Sequence, residues 1–394
     1  MSDTAWPPRS LEHPLPAGMR DLLPEEAQDR RALARDLLDR FALFGYALVT
    51  PPAFEFADVL ERGLGALDPA DVLRFVEPES GEVAALRPDM TPQIARMIAT
   101  RLRDRPAPYR LCYEGTVLRR RSGRARKSRQ MAQVGIELAG LGEPDGDLEI
   151  LAVAADALRG AGLSRFTIDL GDAQIVRALL EGADPRAVER VTAAIARKDE
   201  VELEEHARAA RLPHAGRLKD LVRLHGGREA IVEATRLLAG TPAEAPTVAL
   251  LSLFDAAHAR GLGEHLAADL CEVRGFAYYT GIIFDLYAPG PGEAIGAGGR
   301  YDQLLGRFGA PMPAVGFAID LDNLGWALRE AGTKKTRAAR VVVVGSPDDP
   351  RLSALRHDGT SAVAVRTLAE ARHYAAKWGF ATVLDGASPS EKGA

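Results

Sequence analysis

The segment LRPDMTPQIAR places an aspartate and a threonine, Asp89 and Thr91, at a predicted strand-to-helix junction. Thr91 is expected to cap the helix that follows, which would give it a purely structural role. Asp89 is equally suited to receive the amino group of a ligand. The junction therefore suggests a polar binding site and leaves a structural alternative for Thr91.

A second candidate is RGFAYYTG, in which Arg274, Tyr278 and Tyr279 lie in a predicted buried strand. Strand alternation sends Arg274 and Tyr278 to one face and Tyr279 to the other. Aromatic residues in strands more often belong to a core than to a ligand site. A buried arginine, however, requires an anionic partner, and a substrate carboxylate is as plausible as an internal one.

A third candidate is the basic loop RRRSGRARKSR, Arg119 to Arg129, in which seven of eleven residues are cationic. A solvated charge run and a surface for phosphate or an acidic partner remain equal alternatives for such a loop. Arg119 adjoins the preceding strand and is therefore the best-placed cation for a ligand.

The sequence also excludes several classes of site. The eight histidines show no metal-ligand spacing, so we expect no metal. Neither a P-loop nor a dinucleotide fingerprint is present, so we set aside the enzyme classes that carry them. Cys112 and Cys271 lie in apolar runs, which is typical of structural thiols in a reducing compartment such as the cytoplasm. No run approaches the roughly 18 apolar residues of a membrane span, and the formal net charge is −5.

The elements that position these residues follow from periodicity. An amphipathic helix follows Pro24, two hairpins carry the LRPDMT and QVGIE segments, and residues from about 184 to 244 read as wholly helical. Strands on both sides of this helical insert are expected to share one antiparallel sheet. We therefore predict a large domain over 1–329 and a small C-terminal α/β domain over 338–394.

Another strand-to-helix junction, PAVGFAIDLDNLGWAL, follows a glycine-rich stretch, as many phosphate sites do. It carries Asp320 and Asp322 but no cation. The charges expected around a bound phosphate are therefore missing here.

Together, these motifs resemble the catalytic domain of histidyl-tRNA synthetase, a class II aminoacyl-tRNA synthetase, from PAGMRDLLPEE to VGFAIDLDNL. The resemblance implies an α+β fold with an antiparallel sheet flanked by helices, dimerised through GYALVTPPAFE around Pro52. It also implies a histidine-binding set, whose members match the family's motifs residue by residue: Asp89, Thr91, Arg119, Gln133, Glu137, Arg274, Tyr278 and Tyr279.

The departures from this family concern ATP. Where the family's third motif has an arginine for the γ-phosphate, this sequence has Asn323, and an amide cannot replace a delocalised cation. Asp320 stands where a glycine is expected, and Arg121 stands where an acidic residue should contact adenine. The histidine half of the site resembles the family, whereas the ATP half does not.

A synthetase-like chain with this pattern resembles the regulatory subunits of ATP phosphoribosyltransferase. That resemblance implies a subunit with no catalytic residue and no cofactor, assembled as a homodimer within a hetero-oligomer. Its implied partners are a short-form catalytic subunit and L-histidine as feedback effector; tRNA binding is not expected. The alternatives are a histidyl-tRNA synthetase or aminoacylating paralogue, and an RNA-binding module that uses the basic loop.

Overall fold

The computed structural model describes residues 15–64, 72–119, 128–272, 278–333, 339–386 and 388–390. They form two compact units, one that ends at Thr333 and one that follows it. Each unit is described by itself.

The regular elements are numbered along the chain. The strands are β1 Ala47–Leu48, β2 Phe54–Phe56, β3 Arg74–Val76, β4 Val83–Leu86, β5 Tyr109–Leu118, β6 Gln130–Ala139, β7 Thr167–Asp172, β8 His225–Gly226, β9 Leu266–Asp269, β10 Ile282–Tyr287, β11 Gly296–Arg300, β12 Ala314–Asp320, β13 Arg340–Val344, β14 Ser361–Val365, β15 Thr382–Asp385 and β16 Ser388–Ser390. The α-helices are α1 Pro24–Leu43, α2 Ala57–Leu64, α3 Thr91–Thr100, α4 Asp145–Gly160, α5 Ala173–Leu179, α6 Pro185–Ala196, α7 Glu200–Ala209, α8 Ala215–Val222, α9 Arg228–Leu237, α10 Glu244–Ala257, α11 Leu321–Glu330, α12 Pro350–His357 and α13 Leu368–Trp378.

Within the described part of the larger unit, nine strands form one sheet in the order β1-β5-β6-β12-β11-β10-β7-β9-β8. Neighbouring strands run antiparallel from β5 to β7. The predicted antiparallel sheet is thus confirmed in its centre. It is mixed as a whole, because β1 runs parallel to β5 and β9 runs parallel to β7.

One face of this sheet has a floor of small residues. Cross-strand register aligns Asp285 of β10 with Ala297, Ala318 and Gly135 on the next three strands. The adjoining row on the same face aligns Gly299, Gly316 and Glu137. Because directly opposed residues project to one face, the small side chains leave a hollow above the middle of the sheet.

The opposite face carries large apolar side chains, which pack against α1 and α4 in the main core. Leu33, Leu37 and Phe41 recur at intervals of four residues on α1, so they lie along one side of the helix and are all buried. The ring of Phe41 meets that of Phe317 of β12 edge-on, with centroids 5.8 Å apart. The predicted amphipathic packing helix is therefore confirmed.

The helical insert contains α6 to α9, but our expectation of a wholly helical segment from 184 to 244 is wrong at His225–Gly226. These two residues form β8, which pairs antiparallel with β9 at one end of the large sheet. The insert is thereby hydrogen-bonded to the sheet edge.

At the other end of the large sheet, Pro51 and Pro52 interrupt the chain between β1 and β2. β2, β4 and β3 then form a separate antiparallel sheet. The buried Arg87 donates hydrogen bonds from Nη1 to the carbonyl oxygens of both prolines, at 2.9 and 3.1 Å. The proline segment is therefore held by a cation from the chain's own core.

The C-terminal unit has the strand order β14-β13-β15-β16. β13 is parallel to both of its neighbours, and the helices α12 and α13 connect the strands. The small C-terminal α/β unit predicted from the sequence is confirmed.

A buried ion pair ties the end of β11 to α4. Arg300 donates from Nε and Nη2 to Asp147 Oδ1, at 2.9 and 2.6 Å, and from Nη1 to Asp302. Arg300 and Asp147 are both almost completely excluded from solvent. Sequence reasoning did not single out either residue.

We expect Arg300→Met to reduce the free energy of unfolding by about 3–5 kcal/mol, because it leaves the Asp147 carboxylate buried without its cation. Urea denaturation followed by circular dichroism measures this loss. Arg228→Met removes the exposed partner of Asp255 and is the matched control, for which we expect almost no change. Equal effects of the two substitutions would contradict a stabilising role for the buried pair.

Candidate functional site

The hollow above the sheet opens into a cleft of about 380 Å³, bounded by the sheet floor, α3, α11 and the chain around Tyr278. Six of the eight predicted site residues line it: Asp89, Thr91, Arg119, Gln133, Tyr278 and Tyr279. Glu137 lies beneath them in the floor, and Arg274 lies outside the described residues. Segments far apart in sequence thus meet in one place.

Asp89 is held from two sides. Tyr278 donates its hydroxyl to Asp89 Oδ2 at 2.6 Å, and the backbone N–H of Met90 donates to Oδ1 at 2.8 Å. The carboxylate is buried at the strand-to-helix junction. Its direction is fixed before any ligand arrives.

Glu137 accepts hydrogen bonds from hydroxyl groups of three separate segments. Thr91 donates to Oε1 at 2.6 Å, the Tyr113 hydroxyl lies 3.4 Å from the same oxygen, and Tyr301 donates to Oε2. The expectation that Thr91 caps its helix is wrong, because no side-chain cap begins α3 and the hydroxyl turns towards Glu137 instead. A capping Thr91 would accept a hydrogen bond from a backbone N–H, whereas here its hydroxyl donates to a buried carboxylate, which is the stronger, charge-assisted kind of hydrogen bond.

Burial raises the pKa of Glu137 well above its usual value, and the nearby Asp89 raises it further, while hydrogen bonds from Thr91 and Tyr113 oppose the shift. Burial and the same carboxylates also raise the pKa of Tyr278. A cationic group placed between Asp89 and Glu137 would stabilise the charged carboxylates. The electrostatics of this end of the cleft therefore favour a positively charged ligand.

Gln133 presents a further unused group. The side chain is buried in the cleft wall, and its Oε1 accepts no hydrogen bond from any described residue. A buried amide oxygen left without a donor costs about 1–3 kcal/mol. An N–H group of a ligand at this position would offset that cost.

Arg119 is the cation that the described chain contributes to the cleft wall. Its Nε donates to the carbonyl oxygen of Pro88 at 2.9 Å, beside Asp89. Residues 120–127 of the predicted basic loop, which include Arg121, lie outside the described residues.

The predicted alternation of Tyr278 and Tyr279 is wrong. Neither residue is part of a strand, and both rings pack in one buried cluster with their centroids 4.9 Å apart. β10 begins only at Ile282, so period-two geometry does not apply to the tyrosine pair. Both rings can therefore border the same ligand.

The cleft is acidic near α11, where its lining includes Glu293 and Asp320, and Glu272 and Asp285 also belong to the lining. Asp320 Oδ1 accepts from the backbone N–H groups of Asp322 and Asn323, at 2.8 and 2.9 Å, and so caps α11. The donors that a helix start could offer to a phosphate are thus engaged by a carboxylate.

Asn323, which replaces the arginine of the synthetase pattern, is buried and donates from Nδ2 to the carbonyl oxygen of Ala294 at 3.0 Å. Its amide therefore has a structural partner within the chain.

Sequence reasoning missed Tyr301, which lines the cleft and bonds Glu137. It follows the glycine-rich strand β11, and its position two residues after Gly299 gives the usable signal. Alternation places both residues on the site face of the sheet.

Comparison with known proteins shows the family of the chain. A family model described as Histidyl-tRNA synthetase matches residues 18–324. An ATP phosphoribosyltransferase regulatory subunit from Anaeromyxobacter sp. (strain Fw109-5) is 44% identical over 84% of this chain and 97% of its own length. Another from Moorella thermoacetica is 40% identical over 96% of this chain and 93% of its own.

The chain belongs to the family of ATP phosphoribosyltransferase regulatory subunits. The relatives carry the name of a regulatory subunit, which confirms the non-catalytic class predicted from the sequence.

Solved structures place this regulatory-subunit family within the class II synthetase fold. A Bacillus halodurans structure titled ATP phosphoribosyltransferase regulatory subunit/histidyl-tRNA synthetase has a TM-score of 0.81 at 29% identity, and the match covers 96% of this chain and 98% of that one. A histidyl-tRNA synthetase from Nostoc sp. PCC 7120 has a TM-score of 0.76 at 23% identity, covers 94% of this chain and 90% of that one, and supports the fold alone. The predicted fold class is confirmed.

Two further observations concern the described residues only. No helix among them is both long and apolar enough to cross a membrane. They also contain no group of three or more His, Cys, Asp or Glu side chains arranged to hold a metal ion.

Gly316 sets the space available to Glu137. A Cβ atom at Gly316 would lie 2.0 Å from Glu137 Oε2 and 2.5 Å from the carbonyl oxygen of Ile136. We expect Gly316→Ala to destabilise the protein by about 1–3 kcal/mol, because neither neighbour is free to move away. Thermal unfolding measures the effect, and Gly142→Ala, where a Cβ would meet nothing within 4 Å, is the control. A neutral Gly316→Ala would contradict the tight packing around Glu137.

Proposed function

We propose that this chain is the non-catalytic regulatory subunit of an ATP phosphoribosyltransferase, that it assembles with a short-form catalytic subunit in the cytoplasm, and that its cleft binds L-histidine as a feedback effector. The observation that carries the proposal is the division of the cleft. Its inner end has groups complementary to histidine, whereas the end near α11 is acidic and offers little to a nucleotide triphosphate.

The ammonium group of histidine would lie near Asp89, with the Gln133 amide oxygen as a second acceptor. Asp89 is already oriented by Tyr278, so little reorganisation is needed. A hydrogen bond between charged groups contributes about 1.5–3 kcal/mol, and preorganised acceptors lose less of this to ordering.

The imidazole ring would lie near Glu137, Tyr278 and Tyr279. Glu137 supplies an acceptor whose other partners are hydroxyl groups, and the tyrosine rings supply flat apolar walls. Arg119, which lines the cleft, is the described candidate for contact with the histidine carboxylate, and Arg274 remains a second candidate from the sequence. A site that pairs every polar group of its ligand discriminates strongly against analogues that lack one.

Adenylation needs ATP held in line with the amino-acid carboxylate. The carboxylates of Asp285, Glu293 and Asp320 raise the energy of a triphosphate in this cleft, and Asn323 supplies no cation. A regulatory role requires no such chemistry. Histidine has only to bind one state of the assembly more tightly than another to shift the equilibrium between them.

We also propose that two copies of the chain associate around Pro52. Large apolar side chains are exposed on the elements around this proline: Leu43, Phe44, Leu48, Phe54, Phe56, Val76 and Val83. Exposed apolar side chains on several neighbouring elements favour a protein interface.

Calorimetric titration tests the histidine site. We expect Asp89→Asn to weaken histidine binding by about 10- to 150-fold, because it removes the charge that faces the ammonium group. Inhibition of the assembled phosphoribosyltransferase by histidine should weaken in parallel, while assembly is retained. Asp104→Asn, at an exposed carboxylate, is the control and should behave like the parent.

Unchanged binding and inhibition in Asp89→Asn would place the effector site elsewhere. Histidine-dependent pyrophosphate exchange at a rate typical of synthetases would instead make the chain an aminoacylating enzyme.

Analytical ultracentrifugation tests the association. Leu48→Glu places a charge on the exposed edge strand β1, and we expect it to convert dimers into monomers because the charge cannot be buried without a partner. Val201→Glu, at an exposed apolar residue of α7, is the matched control and should leave the dimer intact. Dimers that persist in Leu48→Glu would exclude this surface.

A further inference from the structure

Residues of α5 donate hydrogen bonds to three consecutive carbonyl oxygens, those of the second cleft tyrosine and of the two residues that follow it. The backbone N–H of Ala173 donates to Gly281 O at 3.0 Å, and Gln174 Nε2 donates to Thr280 O at 2.8 Å. Arg177 Nη2 donates to Tyr279 O at 2.9 Å. One helix therefore sets the path of this short segment.

The beginning of α5 is fixed in turn by Asp172, whose carboxylate accepts from the backbone N–H of Gln174 at 2.7 Å. Asp172 is the last residue of β7, which pairs with β10 in the large sheet. The positions of the donors on α5 are thus fixed relative to the sheet that forms the cleft floor.

The same segment also contacts residues around the cleft, through Thr280 and Tyr278. The backbone N–H of Thr280 donates to Arg300 O at 2.7 Å, and the Thr280 hydroxyl accepts from the backbone N–H of Asp302 at 2.9 Å. Tyr278 reaches Asp89 through its hydroxyl, and its ring meets that of Tyr301 edge-on, with centroids 5.7 Å apart. Tyr301 in turn donates to Glu137.

We propose that Arg177 is a positioning residue for the cleft: by holding the carbonyl oxygen of Tyr279, it fixes the tyrosine pair against Asp89 and so sets the discrimination of the site between related ligands. Arg177 lies outside the cleft wall and does not touch the ligand. The inference rests on the proposed binding of histidine in this cleft.

The physical reason is the number of constraints on a short segment. Gln174 and Ala173 still hold Thr280 and Gly281 when Arg177 is lost, so the fold remains. Tyr279 O then loses its donor, and Tyr278 and Tyr279 gain freedom at the end of the segment that borders the ligand. A shift of about 1 Å in such a group is enough to weaken recognition strongly.

The test compares histidine with β-(2-thienyl)alanine, which keeps the ammonium and carboxylate groups but lacks the ring N–H and the ring nitrogen acceptor, by calorimetric titration into the whole chain. We expect Arg177→Met to weaken histidine binding by about three- to tenfold and to weaken analogue binding by no more than about twofold, because discrimination depends on the placed polar groups. Arg177→Lys retains one donor and should restore part of the loss. Arg186→Met, at an exposed residue of α6, is the control and should change neither affinity.

Hydrogen exchange without ligand supplies an independent readout. We expect faster exchange of the Thr280 amide in Arg177→Met than in the parent, with the melting temperature little changed. Equal losses for the two ligands, or parental affinities together with parental exchange, would overturn the positioning role. A parent protein that binds no histidine would overturn the proposed function instead, while faster exchange in the variant would still support the contact made by Arg177.

Discussion

The site depends on a carboxylate that the fold buries completely. Glu137 projects from a central strand into the hollow of the large sheet, where water cannot solvate it. Hydroxyl groups from α3, from β5 and from the residue after β11 supply its hydrogen bonds, so these three elements must meet at one point. Gly316 must remain without a side chain for the same reason. Removing a carboxylate from water is costly unless several donors compensate, and this requirement fixes the register of the strands and the direction of α3 together.

The small residues of the floor and the acidic residues of the rim have one joint effect. The small floor residues leave the backbone of the sheet accessible to a ligand, and the acidic lining residues disfavour a negatively charged ligand beside them. In a class II synthetase-like fold, the same hollow would serve a nucleotide if cations lined its outer end. Here the carboxylate of Asp320 engages the first donors of α11, and Asn323 turns its amide inward to Ala294. On the proposed function, a few side chains separate a binding role from catalysis without a change of fold.

Sequence reasoning was strongest where local pattern and tertiary structure agree. The spacing of Leu33, Leu37 and Phe41 predicted the buried side of α1, and motif resemblance gathered the residues that the cleft brings together, although their role as ligand contacts stays a prediction. It failed where the conformation of a residue depends on contacts with residues distant in the sequence. Thr91 was expected to cap a helix because its acceptor, Glu137, is 46 residues away. Tyr278 and Tyr279 were assigned to a strand that begins later, and the Arg300 pair with Asp147 follows from packing between elements 153 residues apart.

The two ends of the large sheet are unequal, and this bears on how many copies can join. β8 at one end and β1 at the other are equally short, but β8 belongs to the helical insert and carries no large exposed apolar side chain, whereas Leu48 of β1 is exposed. At the other end, β1 and the apolar residues beside it are exposed. If a second copy binds this end through the same surface, each copy buries the apolar edge of its own sheet, and the described strands of that sheet offer no second edge of this kind. Growth then stops at a closed pair and does not continue into a filament.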